Sequence, residues 1–508
     1  MSGVLIRDCT VEGVPGSSVY CEGGMVARVS KGGELPLPPR AEVVEANGGT
    51  VLPGLVDSHC HPFEYGWLKR SVDLRGSGNV TGVRLRLQAG VQRSRPGEWV
   101  FGRGWDEERF PGKKMPTRVD IDDITPDNPV ALSRVCGHVA LLNSRAIGEL
   151  KLDAEAGDEY ERASSSLTGI VKEAAMTRAL AAIPRSPERC GADLQAVEAE
   201  AAKLGLTALH CIVSPEGFRE ELAALAQLAA SGSLSLRYRA YVPLEALELV
   251  EAGGAFAGAQ TDRLRINGVK IFADGSLGAR TAALREPYSD DPSNSGILRM
   301  TDEQLSSAVE AAASKGLQAI VHAIGDRAVE QAVDALSRVT GGKNPKRHRI
   351  EHAALLPRDL RGKMVRHGIR AAVQPLFVTS DTWAAARLGE ERVRDLYPFR
   401  SMLEEGIVTS GGSDSPVEAL SPVLGMWASM DRGGSVTEEG IGLPQAIALY
   451  TSNAASNGFD ESEVREGAPA DLTVLDSDIT GMHPALLRKV GVVATLVGGS
   501  AVHSFGSA

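Results

Sequence analysis

From Val51 onward, short apolar strands alternate with helical stretches, and this alternation limits what the chain can fold into more than any other feature. The strands read as 51–58, Leu206–Cys211, Tyr238–Val242, Ile266–Phe272, Leu317–His322, Arg349–His352, Ala371–Gln374 and Ile407–Ser410. Between them, Ala192–Leu204 reads as a helix halted by Gly205, and Glu391–Glu405 as one halted by Gly406. Thr301-Asp302-Glu303-Gln304 is a capping box that opens a helix running to Gly316, and Asp326 can cap the next one. Strands separated by helices pair in parallel, because the helix carries the chain back to the same end of the sheet. Eight such strands, seven of them in helix-separated succession, predict an α/β fold of the closed (β/α)8 kind, a TIM-like barrel. An open doubly wound sheet is the competing arrangement, but no Gly-x-Gly-x-x-Gly turn marks one.

The two ends of the chain have a different texture. Ser17–Cys21 and Met25–Val29 flank Glu22-Gly23-Gly24, where paired glycines tolerate the positive φ of a hairpin turn. Near the other end, Ala470–Leu475 is strand-like, and Val492–Val497 meets Ala501–His503 across Gly498-Gly499. Residues 1–52 and 465–508 are therefore expected to pair as a small β-sandwich domain beside a barrel at 53–464. Residues 62–200 break the alternation between the first two strands, and are too long for a bare loop. They read as an inserted subdomain, and an insertion after a barrel strand would roof the catalytic end as a lid.

A chain of 508 residues has room for two or three such units, and 43% hydrophobic with 23% charged residues is the balance of a globular protein. No apolar run nears the ~18 residues that span a bilayer. The N-terminus lacks the basic-then-apolar pattern of a signal peptide, and the six cysteines include no Cys-x-x-Cys pair. These features predict a cytoplasmic protein with reduced thiols and no membrane partner. A net charge of −11, spread without a basic stripe, argues against nucleic acid as a partner.

In a parallel barrel, chemistry sits where strands end, so the polar residues there decide the function. His59 and His61 close the first strand with i, i+2 spacing, which sets both imidazoles on one face. Lys270 lies near the end of the fourth strand, His322 closes the fifth, His352 closes the sixth, and Asp414 follows the eighth. Singly, each has an ordinary explanation: a hydrogen-bonded core histidine, a helix-capping aspartate, or a lysine paired with Asp274. Six at one end of one barrel point instead to a divalent metal site built from imidazole and oxygen donors.

Several motifs extend this pattern. They are His59-Cys60-His61, Lys270-Ile271-Phe272-Ala273-Asp274-Gly275-Ser276, His322-Ala323-Ile324-Gly325-Asp326, Ile350-Glu351-His352-Ala353, Ser413-Asp414-Ser415-Pro416 and Gly467-Ala468-Pro469-Ala470-Asp471-Leu472. Together they resemble the amidohydrolase superfamily, and within it the branch containing N-substituted formamide deformylase and YtcJ-like proteins. The resemblance spans nearly the whole chain. It implies one ion held by His59, His61 and Asp414, and a second held by His322 and His352. Lys270, carboxylated by CO2, would bridge the two, and zinc is the metal it favours. It further implies hydrolysis of a carbon–nitrogen bond other than a peptide bond, in an amide or N-substituted formamide. Asp414 would be the catalytic base that takes a proton from the attacking water.

Ester or lactone hydrolysis, and a barrel isomerase or lyase using the metal only as a Lewis acid, are the alternatives. Trp105, His138 and Arg280 are candidates to contact a small-molecule substrate, with Glu173 a weaker one. A homodimer is compatible with everything the sequence shows.

Overall fold

The computed structural model describes residues 3–504 other than 137, 156, 184 and 252–259. The chain divides into two compact units. One comprises Met1–Tyr65 with Val197–Ala508, and the other Gly66–Ala196.

The larger unit contains an eight-stranded parallel barrel. Its strands, in chain order, are Leu55–Cys60, Leu206–Ile212, Arg237–Pro243, Leu264–Phe272, Gln318–Ala323, Arg349–His352, Arg370–Val373 and Thr409–Gly411. Each pairs in parallel with the next, from the first through the eighth. The ring is brought round just past the eighth strand, where the Asp414 amide donates to the His59 carbonyl at 2.7 Å and the His61 amide donates to Ser415 at 2.8 Å. The TIM-like barrel expected from the alternation is thus present.

Gly412 allows this closure, and Gly411 allows the helix Leu443–Tyr450 to pack against the last strand. A Cβ at Gly412 would lie 2.6 Å from the His59 amide nitrogen, and one at Gly411 would lie 2.6 Å from the Tyr450 ring. No other residue lets the last strand lie this close to the first.

Some helices differ in detail from the sequence reading. The stretch expected as one helix over Glu391–Glu405 is three pieces, Ala384–Arg392, Val393–Asp395 and Phe399–Glu404. Pro398 breaks it, because it has no N–H to donate to the carbonyl four residues back and its ring crowds that carbonyl. Gly325, not Asp326, is the N-cap of Asp326–Thr340, and the Asp326 carboxylate accepts instead from the Arg285 amide at 2.9 Å. The capping box at Thr301 and Gln304 is reciprocal, as expected.

The chain ends share one hydrogen-bonded sheet. Thr50–Pro53 pairs with Leu472–Leu475, so pairing runs without a break from Ser500–Ser504 at one edge to Met25–Ser30 at the other. Val4, Ile6, Val19, Leu472, Val474 and Leu496 belong to its single buried cluster.

The unit Gly66–Ala196 has a six-stranded sheet of its own. Successive residues alternate between two apolar layers: Ala131, Ala140 and Leu142 in one, and Val130, Leu132 and Leu141 in the other. The sheet is thus buried on both faces. Among the described residues, no helix is long and apolar enough to cross a membrane.

Candidate metal centre

The C-terminal rim of the barrel collects the histidines. His59 ends the first strand, wholly buried, and His61 follows it, half-buried. Their Nε2 atoms lie 3.3 and 3.1 Å from the same oxygen, Asp414 Oδ1. One ligand atom from each of the three lies within 4.8 Å of the others, close enough to share a metal ion. Asp414 is held there by its own amide on the His59 carbonyl. The buried Asp57 carboxylate adds to that hold, accepting from the amides of His59 at 3.0 Å and Ser413 at 3.1 Å.

The remaining candidates close in from the neighbouring strands. His352 has its ring 4.9 Å from that of His59 and 4.5 Å from that of His322, which makes a row of four imidazoles with His61 at its end. Lys270 is 2% exposed, with Nζ 3.4 Å from His59 Nε2, and burial pushes its pKa down to about 8. Asp274, the carboxylate named above as its ordinary partner, accepts from the amides of Ala283, Gly325 and Ile324 at 2.9–3.1 Å. All six sequence candidates are therefore brought together, although the close three-residue group comprises only His59, His61 and Asp414.

Each inner histidine has one ring nitrogen committed to an acceptor. His59 Nδ1 donates to the Glu351 carboxylate, His352 Nδ1 to Gln374 Oε1 at 2.7 Å, and His322 Nε2 to the Gly275 carbonyl at 3.0 Å. The opposite nitrogen of each ring is left with a lone pair, which is what a metal ligand requires. Burial also holds His322 well below the ordinary imidazole range and His352 at about 3, so both rings are neutral donors. Glu351 runs the other way. Burial by itself would raise its pKa, but Arg349 and His59 outweigh that and hold the carboxyl far below its ordinary range. The nitrogen and oxygen donors here fit a divalent ion of the zinc or manganese type.

Glu351, Arg349 and Gln374 received no role from the sequence. The signal was there in part, since Arg349 and Glu351 are spaced i, i+2 in a barrel strand and so share a face, which here is the interior. Alternation would then put His352 on the opposite face. Its φ of +69° marks where the backbone leaves strand geometry, and both Glu351 and His352 reach His59.

The candidates for substrate contact are placed less favourably. Trp105 lies in the core of the Gly66–Ala196 unit, 0% exposed, with its indole N–H satisfied by the Leu132 carbonyl at 3.2 Å. That is a packing position, and it corrects the expectation of a contact residue. His138 is exposed in the same unit, its Nδ1 3.1 Å from Glu173. Arg280, in the loop after the fourth barrel strand, is engaged by both oxygens of Asp290 at 3.1 and 2.7 Å. Among the described residues, two half-buried phenylalanines have their rings beside the inner histidines. Phe272 lies 5.4 Å from His322, and Phe377 is stacked parallel to His352 at 6.4 Å.

Comparison with known proteins agrees with this architecture. The sequence model of the amidohydrolase family matches residues 42–503. YtcJ of Bacillus subtilis (strain 168), named as an amidohydrolase, is 32% identical, with 99% of this chain and 98% of that protein covered. N-substituted formamide deformylase of Arthrobacter pascens is 26% identical, covering 95% of this chain and 94% of its own length. The crystal structure of an uncharacterised metal-dependent hydrolase from Pyrococcus horikoshii OT3 superposes with a TM-score of 0.79 at 30% identity, over 99% of this chain and all of the other. A match that takes in the barrel, the Gly66–Ala196 unit and the C-terminal strands of the terminal sheet leaves one assignment: the chain belongs to the amidohydrolase family.

Proposed function

We propose that the protein is a metal-dependent hydrolase that cleaves a carbon–nitrogen bond, in an amide or N-substituted formamide, with water as nucleophile. The observation that carries this reading is the meeting of His59, His61 and Asp414 at the barrel rim, with ligand atoms within 4.8 Å of one another. The end-to-end similarity to a formamide deformylase supports the bond type.

His59, His61 and Asp414 would hold one ion, and His322 with His352 a second. Lys270 would join the two after its neutral amine attacks CO2, forming an N–C bond and releasing one proton, so that a buried cation becomes an oxygen ligand. A divalent ion in such a site lowers the pKa of water toward neutrality and polarises a carbonyl. Asp414, with its Oδ1 between two imidazoles, accepts the proton of the attacking water and returns it to the leaving nitrogen. Phe272 and Phe377 provide an apolar wall beside His322 and His352.

The test is a hydrolysis screen of zinc- and manganese-loaded protein in oxygen-18 water. Its substrates are N-substituted formamides, acyl-amino acids, cyclic amides and lactones. The expected result is label in the acid product of an amide or formamide, lost when His59 and His61 are both replaced by Ala. Turnover confined to lactones, or product without label, would overturn the reading.

A further inference from the structure

Barrel interiors are filled in layers by branched apolar side chains. Beneath the histidine row this one holds a guanidinium and a carboxylate instead, Arg349 and Glu351, both 0% exposed. A buried ion pair is rarely better for stability than apolar residues of the same volume, so its presence calls for another explanation.

The connections supply one. Arg349 Nε donates to Glu351 Oε1, and the other carboxylate oxygen, Oε2, takes the His59 Nδ1 proton. The Arg349 guanidinium also donates to the Ser58 carbonyl at 3.1 Å, one residue before His59 on the first strand, and to the Tyr241 hydroxyl at 3.0 Å. Arg349 therefore grips the backbone beside His59 while Glu351 grips its ring, and the imidazole has one orientation left. His352 has no anionic acceptor behind it, since it donates to the Gln374 amide oxygen, and His322 donates to a backbone carbonyl at 3.0 Å, with the Asp274 carboxylate farther off at 3.5 Å. An anionic acceptor makes the opposite ring nitrogen the more basic ligand.

We propose that Glu351, braced by Arg349, is a positioning residue that makes the His59/His61/Asp414 side the tighter of the two ion positions, ahead of the His322/His352 side. This rests on the two-ion reading above.

The test reads metal binding and ring protonation, not turnover. In metal-free wild-type protein, nitrogen-15 NMR is expected to show the His59 proton on Nδ1; a proton on Nε2 alone would overturn the proposal. Titration of zinc against a chromophoric chelator is expected to resolve one tight and one weaker ion. Glu351→Gln should lower the affinity of the first by about 10- to 100-fold and leave the second unchanged. Gln374→Leu should weaken only the second.

Because Glu351→Gln leaves Arg349 without an anion, the double variant Arg349→Met/Glu351→Gln serves as the folded alternative, with the same loss expected. Two ions of equal affinity in the wild type, or wild-type affinity for the first ion in these variants, would overturn the proposal. If the wild type binds no ion at all, or keeps its first ion when His59 and His61 are Ala, the two-ion reading itself fails, and the two failures are told apart.

Discussion

His352 and Asp414 hold backbone φ values of +69° and +54°, in the left-handed region that costs a residue with a side chain about 1–2 kcal/mol. Both are candidate ligands, and in both the unusual backbone turns a strand-end side chain toward the same point. Strain that persists at a donor set is what a site built for chemistry shows. Asp414→Asn keeps the shape and the backbone but removes the proton acceptor. It is expected to lower kcat by about 10²–10⁴-fold, and a loss under tenfold in steady-state kinetics would remove Asp414 from the proton-transfer role. Lys270→Ala is expected to cost one of two bound ions, with partial recovery of activity in a short carboxylic acid that supplies the missing oxygens. Unchanged metal content by elemental analysis would make Lys270 structural. These residues were legible in the sequence because polar side chains at the ends of apolar strands stand out. Glu351 and Gln374 were not, because a strand's alternation tells which face a residue takes but not what it meets there. Trp105 misled for the same reason: a tryptophan in a glycine-rich segment looks like a loop residue until its indole is seen bonded to Leu132 in the core.

At the scale of elements, the barrel strands were readable to within a few residues, since each apolar run is bounded by glycine or by a change to helical spacing. The helix broken at Pro398 shows the limit, because the charged residues of 391–405 carry helical spacing across a position that cannot continue the hydrogen bonding. The approach of the last strand to the first was not readable at all, since two adjacent glycines look like any loop. Gly412→Ala puts a methyl 2.6 Å from a backbone nitrogen that has nowhere to go. We expect a stability loss of about 1–3 kcal/mol by denaturant unfolding, accompanied by loss of bound metal. Gly148→Ala is the control, in a helix where an added methyl meets nothing within 4 Å, and it should leave both unchanged. Equal behaviour of the two variants would show that the strand approach is not what organises the site.

At the scale of the whole molecule, donors from distant parts of the chain meet only in the folded state, so a bound ion stabilises the fold by mass action. Free metal at a hundred times its dissociation constant is worth about 2.7 kcal/mol. Stripping the protein with a chelator is therefore expected to lower its melting temperature by several degrees, recoverable on adding zinc or manganese. A Tm that ignores the chelator would mean that the donor set holds no ion. The stretch 62–200 stands out in the sequence as a break in rhythm, because nothing in a β/α alternation accounts for a segment of that length.

The backbone bonds that join Asp414 and Ser415 to His59 and His61 carry a last consequence. Ser413 and Asp57, which bond at the same place, are 356 positions apart in the chain. A ribosome must release nearly the whole barrel before Asp414 can join His59 and His61, and a fragment that ends earlier lacks it. The completed ring and the competent His59/His61/Asp414 group are then the same event, because the emerging chain lacks the aspartate that joins the first-strand pair until its last barrel strand is out. Timing of this kind requires no chaperone or inhibitor; it is a property of where the sequence begins and ends its circle.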